Sequence, residues 1–223
     1  MLKRKIQAKF PKNKDYFRDL FYSLISIGIF AFMFVSTFSF LKPYTNLYDD
    51  VSEYGVVYYC FTIVWMFFLH DAYFYWSHRL MHHPRVFKYV HLVHHKSTNP
   101  SPWTAYAFHP AEGVIEALII PIIAFSIPTH KSAIIGYTLF QIIYNVYGHL
   151  GFEIMPKKFN THWFGKWMNT SVGHNMHHKY FVHNYGLWTT IWDRAFGTMN
   201  PKYDEAYTYA TEAQKIKESA LTQ

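Results

Sequence analysis

Cysteine is nearly missing from this chain, with one residue, Cys60, in 223. That excludes a disulfide-stapled scaffold and any thiolate-rich zinc or iron–sulfur site. Formal charge is also scarce, at 16% of residues, but 51% of the chain is apolar, so it is not a disordered polymer. No glycine-rich phosphate loop and no dinucleotide fingerprint occurs, so any reducing equivalents must come from a separate partner. His-Glu-x-x-His is absent, which removes a zinc protease of that type. The Glu-x-x-His pairs of soluble carboxylate di-iron bundles are absent too. With no internal repeat, low-complexity tract or interdomain linker, the length suits one domain.

Aromatic residues make up 21% of the chain, and 15 residues are histidine. The mean hydropathy of −0.07 conceals an uneven distribution. Leu20 to Leu41 is a charge-free run of 22 residues, long enough to cross a bilayer as a helix. Tyr54 to Leu69 adds 16 more between Glu53 and Asp71. Ala117 to Thr129 and Ser132 to Gly148 are parted only by His130 and Lys131 and read as a helical hairpin. Its first arm carries Pro121 and is short enough to enter a bilayer without crossing it. The pattern predicts an all-α, multi-pass membrane protein with about four transmembrane or re-entrant helices and a histidine-rich cytoplasmic helical cap.

Seven bases (Lys3, Arg4, Lys5, Lys9, Lys12, Lys14 and Arg18) precede the first run, against Asp15 and Asp19, whereas residues 42–53 hold one base and three acids. The positive-inside rule puts residues 1–19 in the cytoplasm, the 42–53 loop outside, and the segments 70–112 and 149 onward inside again. The net charge of +7 then flanks membrane spans and faces anionic headgroups, and nucleic acid is not an expected partner. The expected organisation is a basic N-terminus (1–19), a membrane domain (20–202) and a C-terminal tail (203–223) read as a solvated helix or frayed end. The compartment is a bacterial inner membrane, or the endoplasmic reticulum in a eukaryote.

The histidines fall in three clusters: His78 and His82; His91, His94 and His95; and His174, His177 and His178. Residues three and four apart share a helix face, so each cluster presents its imidazoles in one direction. Pro84 opens a new helix between the first two. Eight imidazoles on one side of a membrane exceed what one ion uses and point to two. Sulfur-free imidazole coordination suits iron, zinc or copper. Two functions follow: a metal-dependent oxidoreductase, or a histidine-rich membrane metal-binding or transport protein. Transport calls for ionisable groups inside the spans, which hold almost none, and this favours the enzyme.

His78-Arg79-Leu80-Met81-His82, His91-Leu92-Val93-His94-His95 and His174-Asn175-Met176-His177-His178 resemble the three histidine boxes of the fatty acid hydroxylase/sterol desaturase superfamily, and its sterol C5-desaturase-like members in particular. Asp71 through Tyr75-Trp76 before the first box fits that pattern. So do Asn184-Tyr185-Gly186 and the stretch Trp192-Asp193-Arg194-Ala195-Phe196-Gly197-Thr198 after the third. The resemblance runs from about Leu69 to Met199. It implies a membrane oxidase with two iron ions that uses dioxygen to hydroxylate or desaturate a lipid, whether sterol, fatty acyl, carotenoid or ether lipid. Electrons would come from a separate cytochrome- or ferredoxin-type protein. The eight box histidines are the implied ligands, with His149 and His162 as candidates to complete the set. His109 is expected behind the ligands or on the pocket wall, and Asp71 and Asp193 are expected to orient ligand imidazoles. His70, His83, His130 and His183 are assigned no role.

Overall fold

A computed structural model describes residues 4–221, with side chains described as far as residue 212; Lys3 and the end of the expected tail lie outside those bounds. Helix α1 (Asn13–Phe38) starts ahead of the charge-free run, where Asp15 accepts the Lys12 backbone N–H at 3.1 Å. Helix α2 (Gly55–Met81) is 27 residues long, about 40 Å at 1.5 Å per residue. That exceeds the roughly 30 Å hydrocarbon core of a bilayer, so a crossing helix of this length would extend beyond the apolar layer. These two helices are long and apolar enough to cross a membrane. Only 17% of the most apolar stretch of α1 and 22% of that of α2 is buried, unlike the core helices of a soluble protein.

The third apolar run is split. Helices α3 (Pro84–Val90) and α4 (Leu92–His95) are short and follow α2 directly, and α5 (Pro110–Ala117) passes into α6 (Ile119–Ser126) at Leu118. Pro121 has no N–H to give the Ala117 carbonyl four residues back, which places the break there. At 8 residues, about 12 Å, α6 is too short to cross a membrane. Helix α7 (Lys131–Gly148) completes the hairpin. At the turn, a two-residue parallel pairing of β1 (Leu47–Tyr48) with β2 (Thr129–His130) joins the 42–53 loop to the hairpin tip, a small departure from an all-α chain. Asp49 ion-pairs there with Lys42 at 2.7 Å and with Lys131, and its carbonyl contacts His130 Nε2 at 2.9 Å. His130 is thereby fixed in a loop contact, with no cluster histidine as partner.

The membrane-side core is Met66, Ile119, Ile120, Ile123, Ala133, Ile134 and Tyr137, closed by Leu187 and Trp188. Those last two belong to the loop between α8 (Ser171–Tyr180) and α9 (Ile191–Ala195), which inserts Trp188 against Phe67, His70 and Phe140. The segment after residue 202 is not a solvated tail at its start. Helix α10 (Tyr203–Leu221) buries Tyr203 and Tyr207 against Val172 and Met176 of α8. The basic N-terminus is likewise tied down: Arg4 donates to the Met155 carbonyl at 2.8 Å, and the Ile6 N–H to the Gly151 carbonyl at 3.1 Å.

Asp19, buried near the start of α1, accepts the hydroxyls of Ser97 (2.7 Å) and Thr104 (2.7 Å) and pairs with Arg18 at 2.9 Å. It fastens the first span to the loop after α4. Asp19→Ala strands two buried hydroxyls and is expected to cost about 2–3 kcal/mol. Thermal unfolding in detergent checks this: a clear drop in Tm is expected, and an unchanged Tm contradicts the role.

Candidate metal centre

The extension of α2 beyond its apolar stretch carries His78, and His82 caps the helix one turn later, its N–H bonded to the His78 carbonyl at 3.0 Å. Pro84 at the first position of α3 reverses the chain, and the His83 ring caps that helix by accepting the Arg85 N–H at 3.3 Å. His91 sits at the joint of α3 and α4, which brings His94 and His95 back over α2. Helix α8 is opened by Thr170, whose hydroxyl accepts the Gly173 N–H at 3.2 Å, and sets His174, His177 and His178 on one face. His149 caps the end of α7.

These elements bring nine imidazoles into two groups: His78, His82, His91, His95 and His177; and His94, His149, His174 and His178. Within each group the ligand atoms all lie within 4.8 Å of one another. Eight of the nine are buried, and His82 is half-buried. The contacts run Nε2 to Nε2: His78 to His91, His82 to His95 and His95 to His177, each at 3.1 Å. In the second group they are His149 to His174 at 2.9 Å, His174 to His178 at 3.2 Å and His94 to His149 at 3.3 Å. The groups adjoin, with the rings of His95 and His178 centred 4.9 Å apart.

The outer ring nitrogens bear on how this arrangement could hold a cation. His78 Nδ1 donates to the Tyr185 carbonyl at 2.7 Å, His177 to the His183 carbonyl at 2.8 Å, His149 to the Asn145 carbonyl at 2.8 Å, and His178 to the Ser97 carbonyl at 3.0 Å. A carbonyl can only accept, so each of these Nδ1 atoms carries the ring proton and each neutral ring presents a bare Nε2 lone pair. Burial holds the His91, His94, His95, His174, His177 and His178 imidazoles well below their ordinary range and pushes His149 down to about 4. A second proton therefore does not occupy the Nε2 lone pairs of the four carbonyl-bonded rings. Two metal cations would, and neutral imidazole sets with oriented outer nitrogens are the donors that hold them.

His91 Nδ1 instead hydrogen-bonds a side chain, Glu112 Oε1, at 2.7 Å. Burial favours the uncharged form of both partners, raising the Glu112 carboxyl and lowering the imidazole. Asp71 and Asp193 touch no histidine. Asp71 accepts the Trp188 and Thr189 backbone N–H groups and the Thr189 hydroxyl. Asp193 accepts the Tyr185 N–H at 2.9 Å, the Gly186 N–H at 2.8 Å and the Thr198 hydroxyl at 2.7 Å. Both grip the loop whose Tyr185 carbonyl receives His78, so their influence on the site runs through backbone. Gly186 permits that grip, since a Cβ there would come within 2.3 Å of the Thr189 carbonyl.

His109 is a helix cap, its ring accepting the Ala111 N–H at 3.3 Å, and contacts no cluster ring. His162 stands exposed outside both groups, its Nδ1 spent on the Phe164 N–H at 3.3 Å. His70 is buried in the bundle, bonded to the Tyr137 hydroxyl at 2.6 Å, and His183 serves only through its carbonyl. Glu112 was visible in the sequence as an acid near the clusters, but nothing in the spacing ranked it above Asp71 or Asp193.

The fatty acid hydroxylase family model matches residues 63–198, which hold all nine of these histidines. The chain belongs to that family. Lathosterol oxidase of Rattus norvegicus is 31% identical over 193 residues, 85% of this chain and 62% of that protein. A Delta(7)-sterol 5(6)-desaturase of Gibberella zeae is 30% identical over 192 residues, 85% and 57% of the two chains. Lathosterol oxidase of Homo sapiens is 32% identical over 186 residues, 81% and 60%. The chain thus spans about three-fifths of the length of these curated relatives. No solved structure matches.

The depressed imidazoles set a pH dependence. An unfolded histidine titrates near 6.5, while folded His149 resists protonation to about 4. The unfolded state therefore binds more protons in that window, and stability falls as pH falls. Each such histidine contributes about 1.4 kcal/mol per pH unit. Metal-free protein is expected to unfold at progressively lower denaturant concentration from pH 7 to pH 5; a flat profile contradicts the buried neutral cluster.

Proposed function

We propose that this chain is an integral membrane oxidase that holds two iron ions and uses dioxygen to hydroxylate or desaturate a lipid. The observation that carries the reading is the set of nine converging Nε2 atoms, five of whose rings are oriented by a carbonyl or by Glu112. Bound iron supplies dioxygen reduction and abstraction of hydrogen from an unactivated carbon. The substrate C–H bond gives two electrons, and a separate cytochrome- or ferredoxin-type protein supplies the other two. The names of the relatives favour a sterol-type lipid over a fatty acyl, carotenoid or ether lipid.

The chain's own residues do the holding. His78, His82, His91, His95 and His177 would bind one ion, and His94, His149, His174 and His178 the other. Carbonyls of Ser97, Asn145, His183 and Tyr185 fix ring orientation, and Glu112 fixes that of His91. Asp71 and Asp193 keep the Tyr185 loop seated. Burial excludes water from both groups, so each imidazole stays neutral and available. The membrane topology is read as α1 and α2 crossing, with the α5–α6 kinked arm and α7 entering and returning, and the histidines on the cytoplasmic side. The basic N-terminal segment and the length of α2 support this. Placement of the clusters beyond the apolar stretches supports oxidation over ion transport.

The test is expression in a heterologous host with lipid profiling by mass spectrometry. A lipid that gains one oxygen atom or loses two hydrogens is expected, and an unaltered lipidome overturns the reading. His149→Ala is expected to abolish the product and His162→Ala to leave it unchanged, separating the two residues. Glu112→Gln is expected to weaken metal affinity about 10–100-fold, measured by competition with a chelator.

A further inference from the structure

Beside the metal centre, a cavity of 580 Å³ lies between α1 and α7, covered by residues 102–106. None of its lining side chains carries a formal charge. Exposed Leu24, Ile27 and Ile142 on its walls leave it open toward the lipid side of the two helices. The polar lining is sparse and largely self-satisfied: Ser23 donates to the Trp103 carbonyl at 2.8 Å and Thr138 to the Ile134 carbonyl at 2.8 Å. The exception is Tyr106, whose hydroxyl donates to Gln141 Oε1 at 2.8 Å. Gln141 Nε2 has no hydrogen-bond partner among the described residues, and Tyr106 Oη, which the Asn145 amide also faces, keeps a lone pair after giving its proton. An amide donor without a partner beside an apolar cavity costs free energy unless a ligand atom accepts it.

Residues of two cavity walls lead, through one neighbour each, to histidines of the metal centre. Gln141, Asn145 and His149 form an i, i+4, i+8 stripe on α7, and the Asn145 carbonyl receives His149 Nδ1 at 2.8 Å. On the other wall, Tyr106 adjoins Phe108, whose ring is centred 5.1 Å from that of His94.

We propose that this cavity is the substrate site and that the Gln141–Tyr106 pair recognises the hydroxyl of a neutral lipid alcohol. This deepens the oxidase reading, on which the cavity's status as a substrate site rests. A hydroxyl both accepts and donates, so it takes the Gln141 Nε2–H and returns its proton to Tyr106 Oη, closing a ring of three hydrogen bonds. An ether or ester oxygen satisfies only the first. A carboxylate or phosphate finds no cation in the lining. A volume of this size suits a single lipid body.

The experiment uses the iron-loaded protein in nanodiscs, with equilibrium binding of cholesterol, cholesterol methyl ether, 1-hexadecanol and hexadecanoate, and iron content measured on the same preparation. The wild type is expected to bind each alcohol about tenfold more tightly than the ether or the acid, the worth of one buried hydrogen-bond pair. The two alcohols separate a ring lipid from an aliphatic one, and tight binding of either supports the site. Gln141→Leu is expected to erase the preference with iron content unchanged. Ala31→Phe, on the opposite wall, is expected to weaken all four probes together. Equal binding of alcohol and ether by the wild type overturns the proposal, as does a preference for hexadecanoate or a preference that survives Gln141→Leu. Iron retained without alcohol preference removes the subsite alone; alcohol preference without iron removes the oxidase reading alone.

Discussion

Nine imidazole nitrogens facing one another across about 3 Å is an arrangement that neutral protein chemistry alone does not favour. Carbonyl acceptors hold the proton of several rings on Nδ1, and burial keeps it from being doubled by a second. The lone pairs left over on those rings point inward, where a cation would accept them. Much of the remaining structure can be understood as the means of bringing four chain segments to that one place and keeping them there.

The means are local and specific. Helix α2 is longer than a bilayer requires, so the same rigid rod that sits among apolar side chains also carries the first two histidines out of them. Pro84 turns the chain back within two residues, and a single helical turn, α4, returns His94 and His95. The loop after α8 drives Trp188 into the bundle and is held by Asp71 from α2 and Asp193 from α9. Through Tyr185, two buried carboxylates on separate elements therefore bear on the orientation of His78. Asp19 performs the corresponding fastening for the Ser97 loop, whose carbonyl receives His178.

The helical spans and the histidine clusters were legible because their signals are periodic or compositional. A charge-free run gives a helix, and spacings of three and four give a shared face. His149 was legible only as a candidate, since a lone histidine at a helix end has no spacing to read; its place depends on α7 meeting α8, where a Cβ on Gly148 would lie 3.7 Å from the His174 ring. Glu112 and the four carbonyl acceptors were not legible, because which acceptor meets which ring is set by tertiary packing. His162 lies outside both groups for the same reason: proximity in sequence to the third cluster does not carry across the turns at 159–167. Tyr203 and Tyr207 looked like part of a polar tail because their burial depends on a partner, α8, rather than on their own segment's pattern.

The two-group arrangement makes a demand that a structural histidine cluster would not. X-ray absorption at the iron edge, with metal analysis of the gently purified protein, tests it most directly. Two irons per chain, each surrounded by imidazole nitrogens at about 2.1 Å with no sulfur neighbour, is the predicted result. One iron or fewer per chain, or a shell without imidazole scattering, would contradict the account.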